Sequence, residues 1–131
     1  MPPAFLQLDV WKKGMLLTRE IYVLTRSFPK EERYGLIAQM RAAAISVPTN
    51  IAEGNGRATA GEYMNALSNA RGSVYELHSL CLVSVDLGYV QRPELQTSLN
   101  LIDDIERMLA RLRSSLERSA RQPRSSPQRP A

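Results

Sequence analysis

Few side chains in this sequence are of types that carry out reactions, and their spacing limits what they can do. There is one histidine, His78, and one cysteine, Cys81. Three apart on a helix the two would be neighbours, but a nucleophile and its base need a third group to orient them and a cleft to work in. Structural zinc takes four ligands, which this pair cannot supply. Di-iron bundles set Glu and His three apart on one helix, whereas Glu76 and His78 are two apart and no second histidine exists. Asp103, Asp104 and Glu106 form a carboxylate cluster without such partners and read as a solvated face. The expectation is no catalytic residue, no metal and no cofactor: the chain does not read as an enzyme.

A second group of candidates lies in the segment SVPTNIAEGNGR at 46–57. Pro48 interrupts an otherwise helical pattern, where proline removes one backbone hydrogen bond and costs on the order of 3 kcal/mol. A helix continuing through it should bend, with the Ala44 carbonyl left without its usual donor. Ser46, Thr49 and Asn50 are placed to hydrogen-bond backbone nearby. Asn50 and Glu53 share a face, and Arg57 can fold back toward that carboxylate. One reading is a polar clasp of Ser46, Pro48, Asn50, Glu53 and Arg57 that fixes the helix end and the following turn. The other is that Asn50, Glu53 and Arg57 line a surface created by assembly, where Arg57 meets phosphate. The glycine pair is not a nucleotide loop, because GNGR has no GK[ST] ending and no strand precedes it.

Charge supplies the third group. The formal total of +4 is unevenly spread: positions 1–106 hold 10 Lys+Arg against 12 Asp+Glu, while 107–131 hold seven arginines against Glu117 alone. Arg107, Arg111, Arg113, Arg118, Arg121, Arg124 and Arg129 therefore form either a solvated helix end with a solubilising tail or an attraction for an acidic partner. A length of 131 residues fits one domain with a core of its own. A lone cysteine excludes an intramolecular disulfide and agrees with a reducing compartment. No apolar run has the length of a signal peptide or a spanning helix, so a cytoplasmic location without membrane contact is expected.

Four helices account for the apolar spacing. Between Phe5 and Phe28, one stripe runs Val10, Gly14, Leu17, Ile21, Leu24, Phe28, and a second runs Leu8, Trp11, Met15, Thr18, Tyr22, Thr25. Two stripes predict two buried faces, the second against another subunit, or else one broad face. Pro29 with Lys30, Glu31 and Glu32 reads as the start of a second helix, stopped by Gly54 and Gly56 in the left-handed conformation. Thr59 and Glu62 form a capping box that opens a third, whose seam is Tyr63, Leu67, Ala70, Val74, Leu77, Cys81, Ser84 and Gly88. Gly88 and Tyr89 predict a left-handed cap with an apolar follower. Pro93 and Glu94 open a fourth, with Leu95, Leu99, Ile102, Leu109, Leu112 and Leu116 in its seam, widened by Ile105 and Met108. The expected architecture is all-α, an up-and-down antiparallel four-helix bundle over 1–118 with a proline-bent second helix. A disordered basic tail is expected over 119–131.

Several motifs carry a family resemblance: Phe5, Leu8 and Trp11, then FPKEERYGL at 28–36, QMRAAAISVPTNIAEGNGR at 39–57, GSVYEL at 72–77 and LGYV at 87–90. Over roughly 4–116 the chain resembles the four-helix-bundle proteins encoded in intervening sequences of bacterial 23S ribosomal RNA genes, often labelled S23-like. A related branch is the accessory protein of diversity-generating retroelements. The resemblance implies a homopentameric, barrel-like assembly, and for the retroelement branch it implies binding of nucleic acid and of a reverse transcriptase. Two departures stand out: Ala42 follows Arg41 where the family carries a second basic residue, and the arginine-rich tail is not a shared feature.

The resulting expectation is a non-enzymatic oligomer whose surface binds RNA or DNA through Arg57, Arg107, Arg111, Arg113, Arg118, Lys12 and Lys13. The competing expectation is a protein-interaction scaffold, such as an accessory subunit for a polymerase or reverse transcriptase.

Overall fold

In the computed structural model, which describes residues 1–121, four helices follow one another. They are α1 (Asp9–Thr25), α2 (Leu36–Asn55), α3 (Ala60–Asp86) and α4 (Arg92–Arg121), with short 3-10 turns at Ala4–Gln7 and Lys30–Glu32 and no strand among the described residues. Of the tail expected from 119, positions 122–131 lie outside the described residues, and α4 itself runs on to Arg121.

Each helix packs on two neighbours, α1 on α2 and α4, and α3 on α2 and α4, which closes a ring of four. The contacts between helices show that neighbours run antiparallel. Gly14 meets Pro48 and Thr18 meets Ala44 between α1 and α2. Between α2 and α3, Gly54 meets Ala66 and Ser46 meets Ser73, so one number rises as the other falls. The ring encloses one apolar core, in which Leu17, Ile21, Met40, Ile51, Leu67, Leu77, Leu95, Ile102 and Ile105 are fully buried. The α3 seam from Leu67 to Ser84 is buried throughout, as its spacing predicts. On α4, Leu95, Ile102, Ile105 and Leu109 are buried as expected, Ser98 is buried as well, and Leu99, Met108, Leu112 and Leu116 are only half-buried.

The helix ends follow local chemistry. Thr59 caps α3 by accepting from the Glu62 amide at 3.1 Å, the forward half of the capping box. At the other end of α3, Gly88 has a φ of 79°, and the Tyr89 amide reaches back to the Ser84 carbonyl at 3.0 Å. That is a Schellman closure, which a side chain on residue 88 would strain. Tyr89 then packs on Phe28, with ring centroids 5.6 Å apart. At the head of α4, Glu94 accepts from the Gln91 amide at 3.1 Å.

Two expectations about α2 are corrected. Lys30, Glu31 and Glu32 form a separate 3-10 turn, and α2 begins only at Leu36, after Gly35. Nor do Gly54 and Gly56 stop the helix by turning left-handed, because Gly88 alone among the described residues has positive φ. Gly54 lies inside α2, where a Cβ would stand 2.7 Å from the Ala66 Cβ and 3.0 Å from the Tyr63 ring. Its role is to let α3 approach; Gly56 closes the helix with a right-handed φ of −86°.

Candidate nucleic-acid interface

Pro48 is buried within a continuous α2, and its vacated hydrogen bond is met from outside the helix. The Thr18 hydroxyl of α1 lies 3.2 Å from the Ala44 carbonyl, sharing its hydrogen with its own-turn Gly14 carbonyl at 2.9 Å. Gly14 makes the approach possible, since a Cβ there would stand 3.2 Å from the Pro48 ring. Thr49 and Asn50 act as expected on the adjacent turns, donating to the Ile45 and Ser46 carbonyls at 2.8 Å each. Within the expected clasp, Asn50 also donates to the Ser46 hydroxyl, which in turn accepts from Ser73 of α3 at 2.8 Å. Ser46 therefore links α2 to α3 and Pro48 packs against Gly14 of α1, whereas Asn50 bonds only within α2, to Ser46. Glu53 and Arg57 are both exposed, and no ion pair joins them among the described residues. A fold-back of Arg57 onto Glu53 is not what the structure contains; the turn is instead held by backbone bonds from Gly56 to Ala52 and Arg57 to Gly54.

Antiparallel packing brings the basic candidates to one end of the bundle. The first turns of α1, the α2–α3 turn and the last turns of α4 share that end, so Lys12, Lys13, Arg57, Arg107, Arg111, Arg113 and Arg118 lie there together although 106 positions separate the first from the last. They are not equally available. Lys13 bridges α1 to α4 by an ion pair with Asp104 at 2.9 Å. Arg107 pairs with Asp103 at 2.9 Å and with Asp104 at 2.7 Å. Held by the Lys13 hydrogen bond first and by the Arg107 guanidinium after it, the Asp104 carboxyl stays below the usual carboxylate range. Arg113 spans from α4 to Ser68 of α3 and pairs with Glu117 at 3.2 Å. Lys12, Arg57, Arg111 and Arg118 are exposed and take part in no ion pair among the described residues.

Beside this end, a groove of about 410 Å³ opens between α3 and α4. Arg71 and Tyr75 form its α3 wall, and Arg107 and Arg113 its α4 wall. The Arg71 guanidinium sits 5.2 Å from the centre of the Tyr75 ring and donates to its hydroxyl at 3.2 Å. Neither residue was a binding candidate in the sequence, although Tyr75 falls in the GSVYEL motif, because both lie on the outward side of α3, away from its seam. The signal that was there is an arginine four positions before an exposed tyrosine, with a glycine between.

Arg41 is a contrasting case. It is half-buried, donates to the Thr25 hydroxyl at 2.9 Å and to the Tyr22 carbonyl at 3.4 Å, and lies 4.4 Å from the Tyr22 ring centre. Its charge is spent on the end of α1. Cys81 is buried, and burial pushes its thiol up to about 12, which leaves it protonated and unreactive. Among the described residues no three His, Cys, Asp or Glu side chains gather as a metal site, and no helix is long and apolar enough to cross a membrane.

Residues 6–111 match the family described as 23S rRNA-intervening sequence protein. No curated protein matches the chain.

Proposed function

From the premise that this chain belongs to the 23S rRNA-intervening sequence protein family, we propose that it is a non-enzymatic, self-assembling bundle that binds RNA or DNA through its basic end. The observation that carries the reading is the set Lys12, Arg57, Arg111 and Arg118. Four exposed cations without a carboxylate partner among the described residues, drawn from three separate stretches of chain, are what a phosphate backbone would engage. Lys13, Arg107 and Arg113, whose charges are already shared, contribute to the field at that end without being the principal contacts.

Self-association is supported by apolar surface that the protomer leaves uncovered. The second stripe of α1 is partly consumed within the chain, by Thr18, Tyr22 and Thr25 against α2 and by Trp11 on Phe5 at 5.1 Å. Met15 of α1 and Ile45 of α2 stay 47% and 42% exposed at the edge of a shallow groove of about 430 Å³. Apolar side chains left uncovered beside a groove are consistent with contact to a second copy, and five subunits is the number the family resemblance implies. A monomer at micromolar concentration by light scattering would remove this part of the reading.

The binding test is a mobility shift with labelled fragments of 23S ribosomal RNA at low salt. The wild-type chain should retard them, and a variant with Gln at positions 12, 57, 111 and 118 should not. Absence of any wild-type shift would sink the proposal. The same uncovered groove favours a protein partner as the second reading, a scaffold for a polymerase or similar enzyme. Pull-down from nuclease-treated lysate distinguishes the two, because a nucleic-acid-bridged partner is lost and a directly bound one is kept.

A further inference from the structure

Gly72 is out of place in a helix interior. Glycine there weakens a helix relative to alanine; Gly61 is equally open but lies in the first turn of α3, and at the other two glycines inside helices, Gly14 and Gly54, close packing offsets the loss. A Cβ on Gly14 would crowd Pro48, and one on Gly54 would overlap Ala66. A Cβ on Gly72 would meet nothing within 4 Å. What the missing side chain leaves is an open shelf of about 370 Å³ bounded by Ser68, Arg71 and Tyr75, continuous through Arg71 and Tyr75 with the groove between α3 and α4. Tyr75 is 52% exposed although it is a large aromatic.

The chemistry around the shelf is specific about what would fit. Arg107 and Arg113 have their charges shared with carboxylates, whereas among the described residues Arg71 has no carboxylate partner and is held by the Tyr75 hydroxyl and ring. Arg113 is braced across the groove by Ser68 and Glu117, with its second terminal nitrogen left over. A flat ring with an attached anion would complete this arrangement: an aromatic face to lie on, bare backbone beside it, and a guanidinium that gives only one hydrogen bond, to the Tyr75 hydroxyl, and has no carboxylate partner among the described residues. Leu67, Leu109 and Ala110 also line the groove, but a helix from a second copy would have to cover the charged side chains of Arg71, Glu106, Arg107, Arg113 and Glu117 along with them, which is poor complementarity.

We propose that this shelf is a nucleotide subsite for single-stranded RNA or DNA, in which an unstacked base lies on Tyr75 beside Gly72 and Arg71 takes its phosphate. The inference rests on the nucleic-acid reading above and sharpens it, because a duplex keeps its bases stacked and would engage only the basic end.

The test uses the full chain and two probes in about 50 mM KCl, a labelled single-stranded RNA of about twelve nucleotides and a duplex of the same length, read by fluorescence anisotropy. Gly72→Leu fills the shelf and improves helix propensity, so loss of binding cannot be loss of fold. Tyr75→Leu keeps an apolar side chain and removes the aromatic face, together with the hydroxyl that Arg71 donates to. Each should weaken the single strand by about ten-fold or more, the scale of one stacked base, and leave the duplex within about two-fold. Unchanged single-strand affinity in both variants overturns the subsite. If Arg111→Ala with Arg118→Ala weakens both probes at the same time, the broader reading survives that failure. Binding of neither probe by the wild type overturns both. A change in the mass of the assembly in Gly72→Leu, with single-strand binding intact, would assign the shelf to a subunit contact and also overturn the proposal.

Discussion

Replacing Gly54 with alanine tests the packing argument directly. The added Cβ would sit 2.7 Å from the Ala66 Cβ, about 1 Å inside the usual carbon contact distance. Neither atom can rotate away, because each is fixed to its backbone. The Tyr63 ring at 3.0 Å is held as well, by the Asn55 amide on its hydroxyl at 3.2 Å. The α2 and α3 backbones must therefore part locally, an overpacking cost toward the upper end of the usual range, about 3 kcal/mol. Better helix propensity returns about 1 kcal/mol. The net expectation is a loss of about 2 kcal/mol, or roughly 8 °C in Tm for a chain of this size. Urea titration and thermal unfolding monitored by circular dichroism would read it. Two controls sharpen the result. Gly72→Ala, with open space at its Cβ, should stabilise by up to about 1 kcal/mol. Ala66→Gly placed in the Gly54→Ala background should cost less than it does in the wild type, since it removes the overlap. A Gly54→Ala protein as stable as the wild type would refute the reasoning.

Three further outcomes follow from the geometry. Thr18→Val should cost about 1–3 kcal/mol by stranding the Ala44 carbonyl, and much less in a Pro48→Ala background, where a restored amide meets that carbonyl; equal losses in both backgrounds would exclude the Thr18 role. Asp104→Asn releases Lys13 and Arg107 from their shared carboxylate, so nucleic-acid affinity should rise several-fold at low salt while stability changes by less than about 1 kcal/mol; unchanged or weaker binding would contradict the placement of those cations. Cys81 should resist a thiol reagent at pH 8 until denaturant is added. Because its folded value is raised from 9.0 to about 12, its contribution to stability is complete below 9 and is lost as pH rises through that interval, so labelling of the native protein at the rate of a free thiol would contradict its burial.

Much of the bundle is written in local spacing. The alternating four and three of the α3 seam, the Thr59 cap and the Gly88 closure each depend on residues within one or two turns of one another, and each appears where the pattern puts it. What escaped depends on pairing across the chain. Gly54 looked like punctuation because its neighbour in space, Ala66, belongs to the next helix. The Ala44 carbonyl finds Thr18, 26 positions away, and Lys13 finds Asp104, 91 positions away, at distances where no periodicity operates. Arg57 could be named from the sequence but not placed, since its expected partner Glu53 turned out to be a separate exposed charge. The α3–α4 groove was invisible for the same reason: Arg71 and Arg113 become facing walls only once the two helices have been set antiparallel and in register.

The most direct test of the nucleic-acid reading is the salt dependence of binding to a single-stranded RNA. If Lys12, Arg57, Arg111 and Arg118 each neutralise one phosphate, a plot of log affinity against log salt should fall with a slope of about −3 per protomer engaged. The slope should flatten by roughly 0.7 for each of the four replaced by glutamine. An affinity indifferent to salt, or a slope that none of the four substitutions alters, would contradict the account.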